Sequence, residues 1–183
     1  MYSLITPPAS EPMTLDEVKA ALRIDHDDDD TLLGGMISTA RTYIERRLDL
    51  ALLEQVWNYR HDGPVHHLLP LRPGRVTEIL SVSVTEEDGT TNTISENDWR
   101  LTGARPEMLD LCLPAGVSGP FHTDVQFRSG AVSADDIPAD LLRAVYLLTA
   151  HYYEERELFR SQRYVSVPLG VENLIEAYKE VRL

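Results

Sequence analysis

The sequence predicts an α+β chain. It should be a helical bundle, of two N-terminal and two C-terminal helices, with a small antiparallel β-rich lobe inserted between them. Three observations predict it. Apolar residues recur at three- and four-residue spacing over 14–50 and again beyond Pro138, the period of helices with one buried face. Over 54–130 the period falls to two, and Gly63-Pro64, Pro73-Gly74, Asp88-Gly89 and Gly119-Pro120 punctuate short β-rich runs. Finally, 43% of the 183 residues are hydrophobic. A chain of that size and make-up reads as one domain, 1–183, burying roughly 70% of its unfolded surface.

Each element has its own reason. Residues 1–13 carry Pro7, Pro8 and Pro12 and are expected to be an extended arm rather than a packed element. Thr14-Leu15-Asp16-Glu17 spells a capping box. The short helix it opens runs to about Arg23, with Leu15, Val18 and Leu22 on one face. Asp25-His26-Asp27-Asp28-Asp29-Asp30 then supplies a cap, and anions favoured by the dipole, for a second helix ending near Leu48. That helix is a rod of roughly 30 Å. Gly34-Gly35 in its first half costs about 1 kcal/mol per residue relative to alanine. Such a pair suits a place where another backbone packs close or the helix bends.

Within 54–130, Ile79–Val84 alternates, and Asp88-Gly89 looks like a hairpin tip leading to Thr91–Ile94. One small antiparallel sheet is expected. The third helix, 138–160, starts near Pro138, and from Leu141 to Tyr153 only Arg143 and His151 interrupt its apolar surface. A helix apolar all round belongs at the centre of the bundle or under a neighbouring subunit. Residues 161–183 read as a linker and an amphipathic helix with Val171, Leu174, Ile175, Tyr178 and Val181 on one side.

Charge narrows the function. Lysine and arginine total 17 against 30 aspartates and glutamates, a formal charge of −13, and Lys19 and Lys179 are the only lysines. Tight binding of duplex DNA needs clustered cations, so it is excluded. The one cysteine, Cys112, rules out an intrachain disulfide or a cysteine zinc site and is expected to be a buried packing thiol. No signal peptide is visible and no apolar run approaches a membrane span, which reads as a soluble protein made inside a cell.

Motifs for catalysis are weak. Counted from Asp25, an EF-hand loop would want glycine at Asp30 and glutamate at Met36, so the acidic run reads as a solvated helix start. His66 and His67 are adjacent and point to opposite faces of a regular strand, and His61 adds no third ligand by spacing. There is neither a serine on a glycine elbow nor a phosphate-binding glycine loop. Arg156, Arg160 and Arg163 cluster beside Tyr164 and Val165, a composition typical of interface cores.

Three segments carry a family resemblance. Leu4-Ile5-Thr6-Pro7-Pro8, Glu11 to Lys19 and Leu22 to Asp30 resemble the opening of the small head–tail connector (adaptor) proteins of tailed bacteriophages, prophages and gene transfer agents. Asp136 to Ala144 with His151-Tyr152-Tyr153-Glu154, and Val167 to Ile175, are similar to the later part of that family, in the same order. The middle, 54–130, departs from the all-helical connectors. The resemblance implies a structural subunit without enzymatic activity or cofactor. It implies a ring, commonly of twelve copies, beneath the portal protein, which extends the DNA channel and meets a stopper or tail-side protein. It places the chain in the virion at the head–tail junction, assembled in the bacterial host cytoplasm, with no membrane partner. The C-terminal part, with Arg156, Arg160, Arg163, Tyr164, Val165, Leu174 and Tyr178, would dock on the portal, and deleting 164–183 should leave the fold largely intact. Asp27, Asp28, Asp29 and Asp30 are candidates for an acidic face along the channel, past which DNA slides without sequence-specific binding. The alternatives are a small metal-dependent hydrolase using His61, His66 or His67, and a monomeric ligand-binding module built on the strand-rich lobe.

Overall fold

A computed structural model of the chain describes residues 1–63, 68–103, 107–113, 120–155 and 167–179. It divides into two compact units. A β unit comprises Met1–Pro8 and Asp49–Gly130, and a helical unit comprises Ala9–Leu48 and Ala131–Leu183.

The β unit holds eight strands: β1 (Tyr2–Thr6), β2 (Gln55–Asp62), β3 (Leu68–Pro70), β4 (Val76–Glu86), β5 (Thr91–Thr93), β6 (Trp99–Leu101), β7 (Met108–Leu111) and β8 (Pro120–Ser129). They form two antiparallel sheets, not the single sheet expected. One has the order β1-β2-β8-β4-β5 and the other β3-β7-β6. Two-residue alternation explains the pair, because each sheet offers one apolar face. Tyr59, Val82, Val84, Val125 and Phe127 of the large sheet share one core with Leu69, Leu109 and Leu111 of the small one. The Asp88-Gly89 hairpin forms as expected between β4 and β5, with Gly89 at φ 87°. Gly130 closes the unit at φ 106°, and a Cβ there would lie 2.2 Å from the Leu53 carbonyl oxygen, so only glycine fits.

The N-terminal arm is a correction. Its backbone is extended, as expected, but Tyr2–Thr6 is a packed edge strand in register with β2, Tyr2 opposite Tyr59. The two rings stack at 4.5 Å, and the Tyr2 hydroxyl donates to the Pro70 carbonyl at 2.6 Å. Burial pushes that phenol up to about 12. Pro7 and Pro8 act at the strand's end, where the missing N–H costs no ladder bond. A second correction concerns Cys112, which is exposed. Leu109 and Leu111 of β7 point inward, so period two turns the alternate positions outward.

In the helical unit, α1 (Leu15–Leu22) begins with the expected capping box. Thr14 Oγ1 accepts from the Glu17 N–H, and Glu17 Oε2 accepts from the Thr14 N–H at 2.7 Å. α2 (Asp30–Leu48) buries Leu33, Ile37, Ala40, Ile44 and Leu48, the three-four spacing read from the sequence. α3 (Ala139–Glu154) starts just after Pro138 and packs against α2 and α4 (Leu169–Glu176). Leu141, Ala144, Val145 and Leu148 are fully or nearly fully buried, and from Leu141 to Tyr153 only Arg143 is exposed. The expected extension of this helix over 156–160 lies outside the described residues. Inside the unit, Arg41 is buried and bound to Glu11 at 2.8 Å and to Glu45 at 2.7 Å. No helix among the described residues is long and apolar enough to cross a membrane.

Candidate functional site

The acidic run ahead of α2 is held by its own unit. Lys19 Nζ binds Asp30 Oδ1 at 2.8 Å and also Asp27, and the Tyr153 hydroxyl donates to Asp29 Oδ2 at 2.7 Å. The hydrogen bond from Lys19 holds the Asp27 carboxyl below the usual carboxylate range, and the same contacts raise the lysine. Asp29 sits at the helix entry, where its backbone carbonyl, not its side chain, accepts from the Leu33 N–H. Asp25 and Asp28 remain exposed. The run is therefore a braced helix start that still presents negative charge at its surface.

At the other end of α2, Glu172 of α4 gathers three donors. Tyr43 reaches it at 3.2 Å, Arg47 at 3.5 Å and Lys179 at 3.1 Å. Lys179 first, then Arg47 and Tyr43, depress the Glu172 carboxyl below its ordinary value. Val171 and Ile175 are fully buried, while Leu174 and Tyr178 are half-buried. Of the residues the sequence marks for docking, Leu174 thus lies on a helix packed into its own unit, and Tyr178 in the turn that follows it. Arg156, Arg160, Arg163, Tyr164 and Val165 lie outside the described residues. Because α4 completes the core beside α3, removing 164–183 should destabilise the helical unit rather than spare it.

The histidines do not converge. His66 and His67 lie outside the described residues. His61 shares the Tyr59 side of β2, its Nδ1 3.4 Å from the Tyr59 hydroxyl. Among the described residues no group of three or more His, Cys, Asp or Glu could hold a metal ion.

One polar cluster was not singled out from the sequence. Asp124 on β8 accepts from Asn58 at 2.9 Å and from Arg60 at 2.9 and 2.8 Å, with His122 Nε2 3.4 Å away. Burial raises the Asp124 pKa, but the bonds from Arg60 and Asn58 outweigh it and hold the carboxyl low. Alternation alone puts these residues on an outward face. Only the register, with Arg60 opposite Asp124, brings them together. Chemically this is a cross-strand brace, not a catalytic set.

Braced charges thus mark both units, and they form cross-strand and helix-end contacts rather than a catalytic set. A family model for the phage gp6-like head–tail connector protein matches residues 12–106. The chain belongs to that family. Its role is that of a structural head–tail connector, and the family identity leaves no ground for the hydrolase reading.

Solved structures agree on the fold of this connector. It is similar over 100% of its length, and 97% of the other chain, to a chain in the neck of an empty gene transfer agent particle computed with C6 symmetry. That match has a TM-score of 0.82 at 22% identity. A chain from the virion of the native gene transfer agent particle matches with a TM-score of 0.80 at 24% identity, with the same coverage. A chain from the neck of the native particle computed with C12 symmetry matches with a TM-score of 0.75 at 24% identity. The likeness spans both units, so the β unit belongs to the shared fold. Among curated proteins none matches.

Proposed function

We propose that the chain forms a ring, of twelve copies, under the portal protein at the head–tail junction of a phage, prophage or gene transfer agent particle. The ring extends the DNA channel and receives a stopper or tail-side protein. The observation that carries this reading is family membership combined with a likeness over the full chain to subunits from particle necks, one of them computed with twelvefold symmetry. Assembly takes place in the bacterial host cytoplasm, and the finished ring is part of the virion.

Charge supports the channel role. Copies carrying −13 each give a ring with a charge on the order of −100 or more, a field in which DNA slides rather than sticks. Of the acidic run, Asp27, Asp29 and Asp30 are proposed for the acidic face. The portal side is assigned to Arg156, Arg160, Arg163, Tyr164 and Val165, backed by Leu174 of α4 and Tyr178 just beyond it.

Co-purification with the portal protein tests the reading. The parent should bind as a multimer of defined mass, and Arg156→Glu with Arg160→Glu and Arg163→Glu should lose attachment while melting like the parent. Unchanged attachment of the triple variant would remove the proposed portal surface. A parent chain absent from purified particles would remove the ring itself.

A further inference from the structure

An open groove of about 630 Å³ lies along the outer side of α2. Gly35, Ser38, Thr39 and Thr42 line it, Tyr152 of α3 flanks it, and Arg46 stands at one end. Helical spacing puts Leu32, a large apolar side chain 44% exposed, on the same face one turn before Gly35. The charges at the two ends of this helix differ in sign. Arg46 is exposed and has no ion pair among the described residues, whereas its neighbour Arg47 is bound to Glu172. At the opposite end Asp25 and Asp28 are exposed, and Lys19 serves Asp27 and Asp30 instead.

We infer that this groove receives the acidic turn ahead of α2, Asp25 and Asp28, from a second copy of the chain, so that copies meet head to tail. The inference rests on the ring reading and names the surface that makes the ring. Three arguments favour a second copy as the occupant. Copies with a charge of −13 repel one another, so a stable contact must bring local opposite charges together, and Arg46 with Asp25 and Asp28 supplies them. A ring needs a heterologous contact, in which each copy offers two different patches, and the two ends of one helix are such a pair. A nucleic-acid occupant would need several clustered cations, and one unpaired arginine is too few.

The glycine pair fits the same surface. Glycine destabilises a helix interior relative to alanine. Yet a Cβ at Gly34 or Gly35 would meet nothing within 4 Å among the described residues. A second copy seated in the groove would supply the close backbone approach that such a pair suits.

The test uses the full chain, counted per particle in purified particles. Arg46→Glu and Asp28→Arg should each lower incorporation at least tenfold without lowering the melting temperature. The double variant, which restores opposite charges across the contact, should return to within twofold of the parent. Gly35→Leu should melt no lower than the parent, since its site is open, and still fail to incorporate because its side chain fills the groove. Parental incorporation of Arg46→Glu or of Gly35→Leu would overturn the inference while leaving the connector role intact. Failure of the double variant to recover would overturn the second-copy assignment in favour of another occupant. Absence of the parent chain from particles would instead strike the ring reading on which the inference rests.

Discussion

The β unit and the helical unit solve the same problem differently. In the β unit, polar groups on the outward face of the large sheet find partners across their own strands. Asn58 and Arg60 bind Asp124, Thr85 meets Thr91 at 3.0 Å, and Arg128 binds Glu78 at 2.7 Å. Yet Leu4, Ile5, Leu68 and Leu80 of the same unit stay exposed. The helical unit has a complete core too, but keeps Leu32 and Arg46 exposed and carries two adjacent glycines that no contact among the described residues requires. Surplus features of this kind mark where a subunit expects company, because a monomer under selection for stability alone would replace them. The units therefore differ in their polar surfaces, cross-strand pairs in the β unit against an Arg46 without an ion pair among the described residues on α2, while both leave large apolar side chains exposed.

The largest expected effects test whether each core is as tight as it looks. Leu148→Asp, at a fully buried site on α3, should cost on the order of 5 kcal/mol through an unpaired buried charge. Phe127→Ala should cost about 3–5 kcal/mol through the cavity left between the two sheets. Denaturant melts read both. Protease digestion patterns then show which unit opens first in each variant. If Leu148→Asp melts like its parent, the helical unit is not built around α3.

Next in size is Arg41→Ala, expected to cost about 3 kcal/mol because Glu11 and Glu45 lose their buried partner. A loss under about 0.5 kcal/mol would mean that this ion pair is solvated like a surface one.

A smaller effect should appear with pH. Glu172 has a folded pKa depressed below its ordinary 4.5, so its stabilising contribution is complete above that value and fades as the pH falls toward the depressed one. Hydrogen exchange in α4 should therefore accelerate, relative to α2, between about pH 6 and about pH 3.5 once intrinsic rates are divided out. Glu172→Gln should flatten that dependence. An α4 equally protected at both pH values in the parent would show that the carboxylate does not fasten the helix.

The smallest effect has the opposite sign. Gly34→Ala should raise stability by about 1 kcal/mol, since the added methyl meets nothing among the described residues. A destabilised variant would reveal an intrachain reason for the glycine and weaken the contrast between the units.

Local features of this fold were legible in the sequence. The Thr14–Glu17 capping box, the α2 core positions and the Asp88-Gly89 hairpin depend on neighbours within a turn or two, and each formed where the spacing required. One face of α3, with Leu141, Ala144, Val145 and Leu148, is buried as its apolar spacing requires, while Leu142, Tyr146, Leu147 and Tyr152 stay only half-buried. Family membership was legible from the N-terminal segments, while the family match also runs through the β-rich middle, 12–106, where the sequence reading saw a departure.

Tertiary structure decided what depends on partners far away in the chain. Tyr2 stacks on Tyr59, Asp29 is bound by Tyr153, and Asp124 is braced by Arg60, and no local pattern specifies any of these pairs. A strand's apolar face says that it must be covered, but not by which sheet, so one expected sheet became two. Cys112 shows the same limit on the smallest scale. The sequence set the alternation of its strand, while the packing of Leu109 and Leu111 chose the side that faces water, because only the covered face repays its burial.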